Sequence, residues 1–402
     1  MKNSGSADLT LMGGAIPPWL FQRMVDLCLP MMEALLIEHG HQQVLSRLAN
    51  PFWFQSFGAV IGMDWNSSGV TTAVLAALKK AINPHAKEIG IYVCGGKGKQ
   101  SMLTPQELRT IGEQTGLDGL ELARNSKLTA KVDNSAVQDG HQLYIHSFLL
   151  SNTGDWTVIQ QGMNPNSGTA RRYHWHSEGI TSFVEEPHTG ICGEQHIGDI
   201  LNLVDKDAKR NQEGILAMTK EKPVSILNEI PKMKLPSYCD VRAGDVNLTR
   251  LGSILWLAQE QGTQTFDELL LLKGLGPRTL QSLALVSEVL YGAPGRFSDP
   301  ARFSFAHGGK SGSPFPVPTA VYDETIETLK TAVQQAKIQH SDKLKAIESL
   351  HKRALKAEDG FTPTQNLDEL KEKERRDSWK YGGRSAKGWA EKPQNNQLGL
   401  FE

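Results

Sequence analysis

The stretch from residue 266 to 291 narrows what this chain can fold into more than any other. Leucine-rich runs at 269–272 and 280–286 flank Lys273-Gly274-Leu275-Gly276-Pro277-Arg278-Thr279. The runs need burial, and the segment between them is built to turn. Gly274 and Gly276 lack a Cβ, so the backbone can bend tightly and come close to a ligand. Pro277 suits the first turn of a second helix, where its missing N–H costs nothing. The free N–H groups that follow, at the positive end of the helix dipole, can hold an anion. We expect a helix-hairpin-helix in which Leu275 packs between the helices while Lys273, Gly274, Gly276, Arg278 and Thr279 meet DNA phosphate. A plain helix pair joined by a glycine turn is the alternative.

A second signal lies at 397–401, where Gln397, Leu398, Leu400 and Phe401 stand in the pattern Gln-Leu-x-Leu-Phe. This resembles the bacterial sliding-clamp-binding peptide, which places a polar anchor and a few apolar side chains in pockets of a rigid partner. Residues 368–397 before it are rich in Lys, Glu, Arg, Gly and Asn and have little to bury. The alternative is a terminal staple that docks on its own domain.

The 402 residues suffice for about two or three domains. A net charge of −1 means that any nucleic-acid surface must be local. Cys28, Cys94, Cys192 and Cys239 form no Cys-x-x-Cys pair, which suits reduced thiols. The segment 1–8 has no apolar signal core, and no run approaches the ~18 apolar residues of a membrane span. A cytoplasmic, nucleoid-associated protein with no membrane partner is expected.

The expected fold class is α+β. Helices are expected over 19–39, 42–48, 70–82, 200–219 and 246–261, and strands over 90–94, 128–133, 141–151, 156–163 and 171–176. Asn152-Thr153-Gly154-Asp155 makes a hairpin turn. These elements divide into a mixed α/β domain with a central β-rich segment (1–220), an all-α helix-hairpin-helix domain (221–320), a helical extension (321–367) and a disordered tail (368–402).

The densest chemistry lies between Lys131 and His188. On a strand, residues i and i+2 share a face. Lys131 would then pair with Asp133, Tyr144 with His146, and His174 with His176. If those faces converge, one pocket gathers Lys131, Asp133, Asp139, Tyr144, His146, His174 and His188 as catalytic candidates. Arg171 and Arg172 would hold phosphate through their forked guanidinium groups. Three chemistries fit. Asp139, His146 and His174 could ligate manganese, magnesium or zinc for hydrolysis. His and Lys could cleave without metal. His174-Trp175-His176 also fits the His-hydrophobe-His pattern of nickases that use a Tyr nucleophile. The plain alternative for each His is a packed or surface residue. Gly95-Gly96-Lys97-Gly98-Lys99 lacks the Walker spacing, yet Lys97 and Lys99 could touch phosphate after a strand.

Several strings resemble one family, number 763 among the domains of unknown function. They are Asp64-Trp65-Asn66-Ser67-Ser68-Gly69-Val70-Thr71-Thr72, the Gly95 loop, Gln138-Asp139-Gly140, Leu143-Tyr144, Gln160-Gln161-Gly162-Met163-Asn164 and Ala170-Arg171-Arg172-Tyr173-His174-Trp175. The resemblance runs from residue 9 to about 337 and implies no mechanism. It implies His at the Asn66 position and an aromatic at the His141 position, so neither is a catalytic choice here.

Together these features lead us to expect a DNA-repair or replication nuclease recruited to the sliding clamp. Two alternatives remain: a non-catalytic DNA-binding adaptor recruited by the clamp, and a glycosylase or lyase in which Lys131 forms a Schiff base.

Overall fold

The computed structural model describes residues 16–63, 68–193, 200–233, 246–301, 319–358, 384–385 and 388–389. In chain order the helices are α1 (Pro18–Ala49), α2 (Pro51–Val60), α3 (Ser68–Ile82), α4 (Ala86–Ile89), α5 (Thr104–Thr115), α6 (Gly119–Lys131), α7 (Lys209–Lys220), α8 (Pro223–Glu229), α9 (Leu248–Glu260), α10 (Phe266–Leu270), α11 (Pro277–Tyr291), α12 (Thr319–Gln335) and α13 (His340–Glu358). The strands are β1 (Ile91–Lys97), β2 (Val137–Gln138), β3 (Gln142–Ser151), β4 (Trp156–Asn164), β5 (Thr169–His176), β6 (Gly190–Cys192) and β7 (Leu201–Asn202). The fold is α+β.

A five-stranded antiparallel sheet, ordered β1-β3-β4-β5-β6, lies in the middle. Its alternating side chains feed two cores. Ile91, Val93, Ile145, Leu149 and Ile159 pack with α1, α2, α3, α12 and α13. Cys94, Phe148, Leu150, Trp156, Val158 and Trp175 pack with α6, α7, α9, α10 and α11. Antiparallel sheets often leave one face in water. Here helices cover both, and all eight residues of β5 are buried.

This layering differs from the expected domains. The second cluster runs without a break from Cys94 to Val286, so a boundary at 220 falls inside one core. Helices α12 and α13, expected as an extension, place Leu329, Val333 and Leu350 in the core of α1 to α3.

Three local expectations change. Residues 128–133 do not form a strand; they end α6 and enter a π-turn at Val132–Ala136. Asp118 starts α6 by accepting from the N–H groups of Leu120 and Glu121, and the helix then buries Leu122, Ser126 and Thr129 at 3–4-residue spacing. The alternation of Leu128, Ala130 and Val132 mimicked a strand. The span 200–219 opens with β7 and a short 3-10 helix at Lys206–Ala208, and the α-helix begins only with α7 at Lys209. Residues 19–39 and 42–48 join in α1, which breaks at Gly40 (φ 76, ψ 170).

Candidate functional site: a two-faced polar sheet and an exposed hairpin

Adjacent strand residues point to opposite faces, and this divides the expected pocket. Arg171 and Tyr173 face the α6–α11 layer, while Arg172 and His174 face α2 and α3. Tyr144 and His146 should share a face, but the β3–β4 register shifts between Leu143 and Ile145. The irregularity turns Tyr144 toward Gln161 and leaves His146 on the other side with Gln160.

On the α6–α11 face, Asp133 is fully buried. Its Oδ1 accepts from His188 Nε2 at 2.5 Å, and its Oδ2 accepts from Trp175 Nε1 at 3.0 Å and Gln160 Nε2 at 2.5 Å. Because Gln160 donates to Asp133, its Oε1 accepts from His146 Nδ1 at 2.7 Å. His146 Nε2 then accepts from the Ser126 hydroxyl at 2.8 Å. A continuous relay thus links Ser126, His146, Gln160, Asp133 and His188. Burial pushes His146 down to about 4, so it is neutral near pH 7. Burial raises the Asp133 carboxyl against the pull of His188.

Beside this relay, Asp139 Oδ2 accepts from Arg171 Nη1 at 3.1 Å and from the Tyr173 hydroxyl at 2.7 Å. Arg171 Nη2 reaches Asp299 at 2.5 Å. Burial works to raise Asp139, but Arg171, His141 and Tyr173 outweigh it and hold the carboxyl below its ordinary range. Arg171 is wholly enclosed and committed to two carboxylates.

On the opposite face, Arg172 Nε donates to His174 Nε2 at 2.8 Å, and Nη1 reaches Gln55 and Thr71, each at 3.3 Å. The guanidinium lies 4.8 Å from the centre of the Phe54 ring. Burial, then Arg172, drives His174 well below its ordinary value. Tyr144 is hydrogen-bonded to Gln161, and burial raises its phenol.

These placements correct three expectations. Arg171 and Arg172 are core cations, and a buried guanidinium does not meet a duplex. The proposed ligands are divided by the sheet, with Asp139 and His146 on one face and His174 on the other. Among the described residues, no three His, Cys, Asp or Glu side chains gather as a metal-binding group. Lys131 does not lie beside Asp133 on a strand. Its Nζ donates to the Leu275 carbonyl at 2.6 Å, so the amine of the Schiff-base alternative is engaged.

The hairpin is the exposed counterpart of this buried chemistry. Leu275 is buried, while Lys273, Gly274 and Arg278 face solvent. Gly274 needs its glycine for the turn (φ 89). Gly276 has an ordinary φ of −119°, and a Cβ there would meet nothing within 4 Å. It caps α11 without any side-chain hydrogen bond. From beneath, Lys131 holds Leu275 and Gln138 Nε2 donates to the Pro277 carbonyl at 2.8 Å. Thr279 departs from expectation: its side chain is buried, leaving its backbone N–H at the helix end.

The Gly95 loop divides similarly. Gly95 and Gly96 belong to β1, and the Gly95 backbone is taken by Lys79 and Glu107. Lys97 and Lys99 are exposed, with Lys97 5.9 Å from the Tyr144 ring centre. Gln397, Leu398, Leu400 and Phe401 lie outside the described residues.

Sequence reasoning did not single out Ser126 or Trp256. Trp256 had a readable signal. It falls in the polar phase of α9 with Arg250, Ser253 and Glu260, while Leu251, Ile254, Leu255 and Ala258 turn inward.

The chain belongs to the family described as Protein of unknown function (DUF763), whose match covers residues 5–317. No curated protein and no solved structure matches it. Among the described residues, no helix is long and apolar enough to cross a membrane.

Proposed function

We propose that this member of the DUF763 family is a DNA-binding protein that grips the phosphodiester backbone at the Gly274–Gly276 hairpin. One observation carries this reading: Gly276 is a glycine that neither strain nor packing requires. It stands beside exposed Lys273 and Arg278, at a helix end with no side-chain cap. A glycine whose Cβ direction is open leaves room for phosphate against the backbone N–H groups of α11. Lys97 and Lys99 offer further phosphate contacts. The peptide at Gln397, Leu398, Leu400 and Phe401 would tether the protein to a bacterial sliding clamp in repair or replication.

The test is duplex binding by Lys273→Glu, Arg278→Glu and Gly276→Ala. Each charge reversal should weaken binding at every DNA sequence and flatten its salt dependence by about one contact. Gly276→Ala should weaken binding while costing less than about 1 kcal/mol of stability. Unchanged affinity in all three variants would refute the hairpin reading.

A second reading, phosphodiester hydrolysis, rests on the Asp133–His188 pair. The His188 side chain is the relay's most exposed end, at 7%. Two residues before it, Glu186 holds a positive φ of 44°, the kind of strain that concentrates at functional sites. Here His188 would carry the proton, Asp133 would orient it, and a divalent metal would come with the substrate or not at all. Incubating labelled DNA with wild-type and His188→Ala protein, with and without manganese, magnesium or zinc, tests it. Cleavage that survives His188→Ala, or no cleavage under any condition, removes this reading.

A further inference from the structure

Next to the hairpin lies a groove of about 440 Å³, lined by Arg250, Ser253, Ile254, Trp256, Lys273 and Gly274, among others. Trp256 is 56% exposed, although its helix buries apolar residues on the other side. A single exposed aromatic is common and by itself means little. This one shares its groove with two exposed cations and with the exposed glycine of the hairpin.

We propose that this groove takes an unpaired nucleobase, stacked on the Trp256 indole, with its flanking phosphates held by Arg250 and Lys273. The proposal rests on the hairpin reading and adds a substrate class: DNA with an unpaired nucleotide next to a duplex, as at an overhang, gap or junction. Stacking platforms for single strands combine an aromatic face with a cationic track. Indole supplies a large face, and every base can stack on it regardless of sequence. Arg250 lies six residues before Trp256 on α9, about one and two-thirds turns, and Lys273 lines the same groove from the hairpin. Glu260 lies one turn beyond Trp256 and also lines the groove. Its carboxylate repels phosphate, so the flanking phosphates are drawn to Arg250 and Lys273 instead. The groove's size is within the range of small-molecule sites. A paired base cannot leave its stack without cost, so the groove favours DNA in which that cost is already met.

The experiment uses the full chain with two probes: a blunt duplex, and the same duplex carrying a short oligothymidine overhang. Wild-type protein should bind the overhang probe more tightly. Trp256→Ala should remove that advantage, a loss of about 5- to 100-fold, and leave blunt-duplex affinity unchanged. Trp256→Phe keeps an aromatic face and should retain most of the advantage. Overhang DNA should also quench tryptophan fluorescence in the wild type and not in Trp256→Phe. An overhang advantage that persists in Trp256→Ala overturns the proposal, as does an equal loss on both probes. If the blunt duplex binds, and Lys273→Glu weakens that binding while no overhang advantage exists, the hairpin reading stands and this one fails. If wild type binds neither probe, both fail.

Discussion

Lys131 Nζ donates to the Leu275 carbonyl across 2.6 Å, joining the last turn of α6 to the middle of the hairpin. The amine is half-buried, and burial lowers its basicity. The cation that sequence placed among catalytic groups therefore braces the loop that faces solvent. Lys131→Met should cost about 1.5–3 kcal/mol, the scale of a charge-assisted hydrogen bond. It should also weaken duplex binding, with Lys131→Arg intermediate in both. Urea denaturation and a binding titration check this, and full affinity in a destabilised Lys131→Met would separate brace from grip.

Arg171 sits between Asp139 and Asp299, all three at or near zero exposure. Arg171→Met leaves two carboxylates buried without their counter-ion, at a cost of about 3–5 kcal/mol. Combining it with Asp139→Leu should recover part of the loss. An unfolding midpoint that does not move would show the cluster to be dispensable.

His146 makes stability depend on acidity. Folded, it sits at about 4, against 6.5 for an unperturbed imidazole. Between those values the unfolded chain binds the extra proton, so stability falls as pH drops from 6.5 toward 4, by about 3 kcal/mol in all. His174 acts in the same direction. Asp133 acts oppositely, because its raised carboxyl keeps a proton that the unfolded chain has lost. Comparing wild type with His146→Gln near pH 7 and about pH 4.5 isolates the histidine. The variant should lose less stability on acidification.

Gly95 and Gly98 look alike in the sequence and should behave differently. A Cβ on Gly95 would stand 2.2 Å from the His146 carbonyl oxygen, at a φ of +79°. Gly98 also has positive φ, at +59°, but a Cβ there meets nothing within 4 Å. Gly95→Ala should cost more than about 3 kcal/mol, and Gly98→Ala about 1 kcal/mol of backbone strain. Equal midpoints in urea would contradict the close β1–β3 approach.

What could be read in advance follows from how local the cause is. The β3–β4 hairpin was legible because alternation and a turn at 152–155 agree. So was α11, announced by Gly276-Pro277 and an apolar face. The candidate site was legible as a list of residues but not as an arrangement. Arg171 and Arg172 look like a surface pair because one face of an antiparallel sheet is ordinarily wet; that helices cover both is a tertiary fact. Tyr144 and His146 separate because of one irregularity in register, and nothing in their own spacing records it. At 128–133 a short alternation competed with a helix whose cap, Asp118, lies ten residues earlier.

The packing of α12 and α13 against α1 and α2 has a consequence for how the chain is made. Ser349 Oγ donates to the Ala59 carbonyl at 2.6 Å, and Arg23 pairs with Asp342. Residues almost three hundred positions apart thus close the same core, past the end of the family match at 317. During synthesis, the apolar face of α1 must wait for Leu329, Val333 and Leu350 to leave the ribosome. Until then it is a sticky surface, so a chain released early should aggregate rather than persist as a smaller version of the protein.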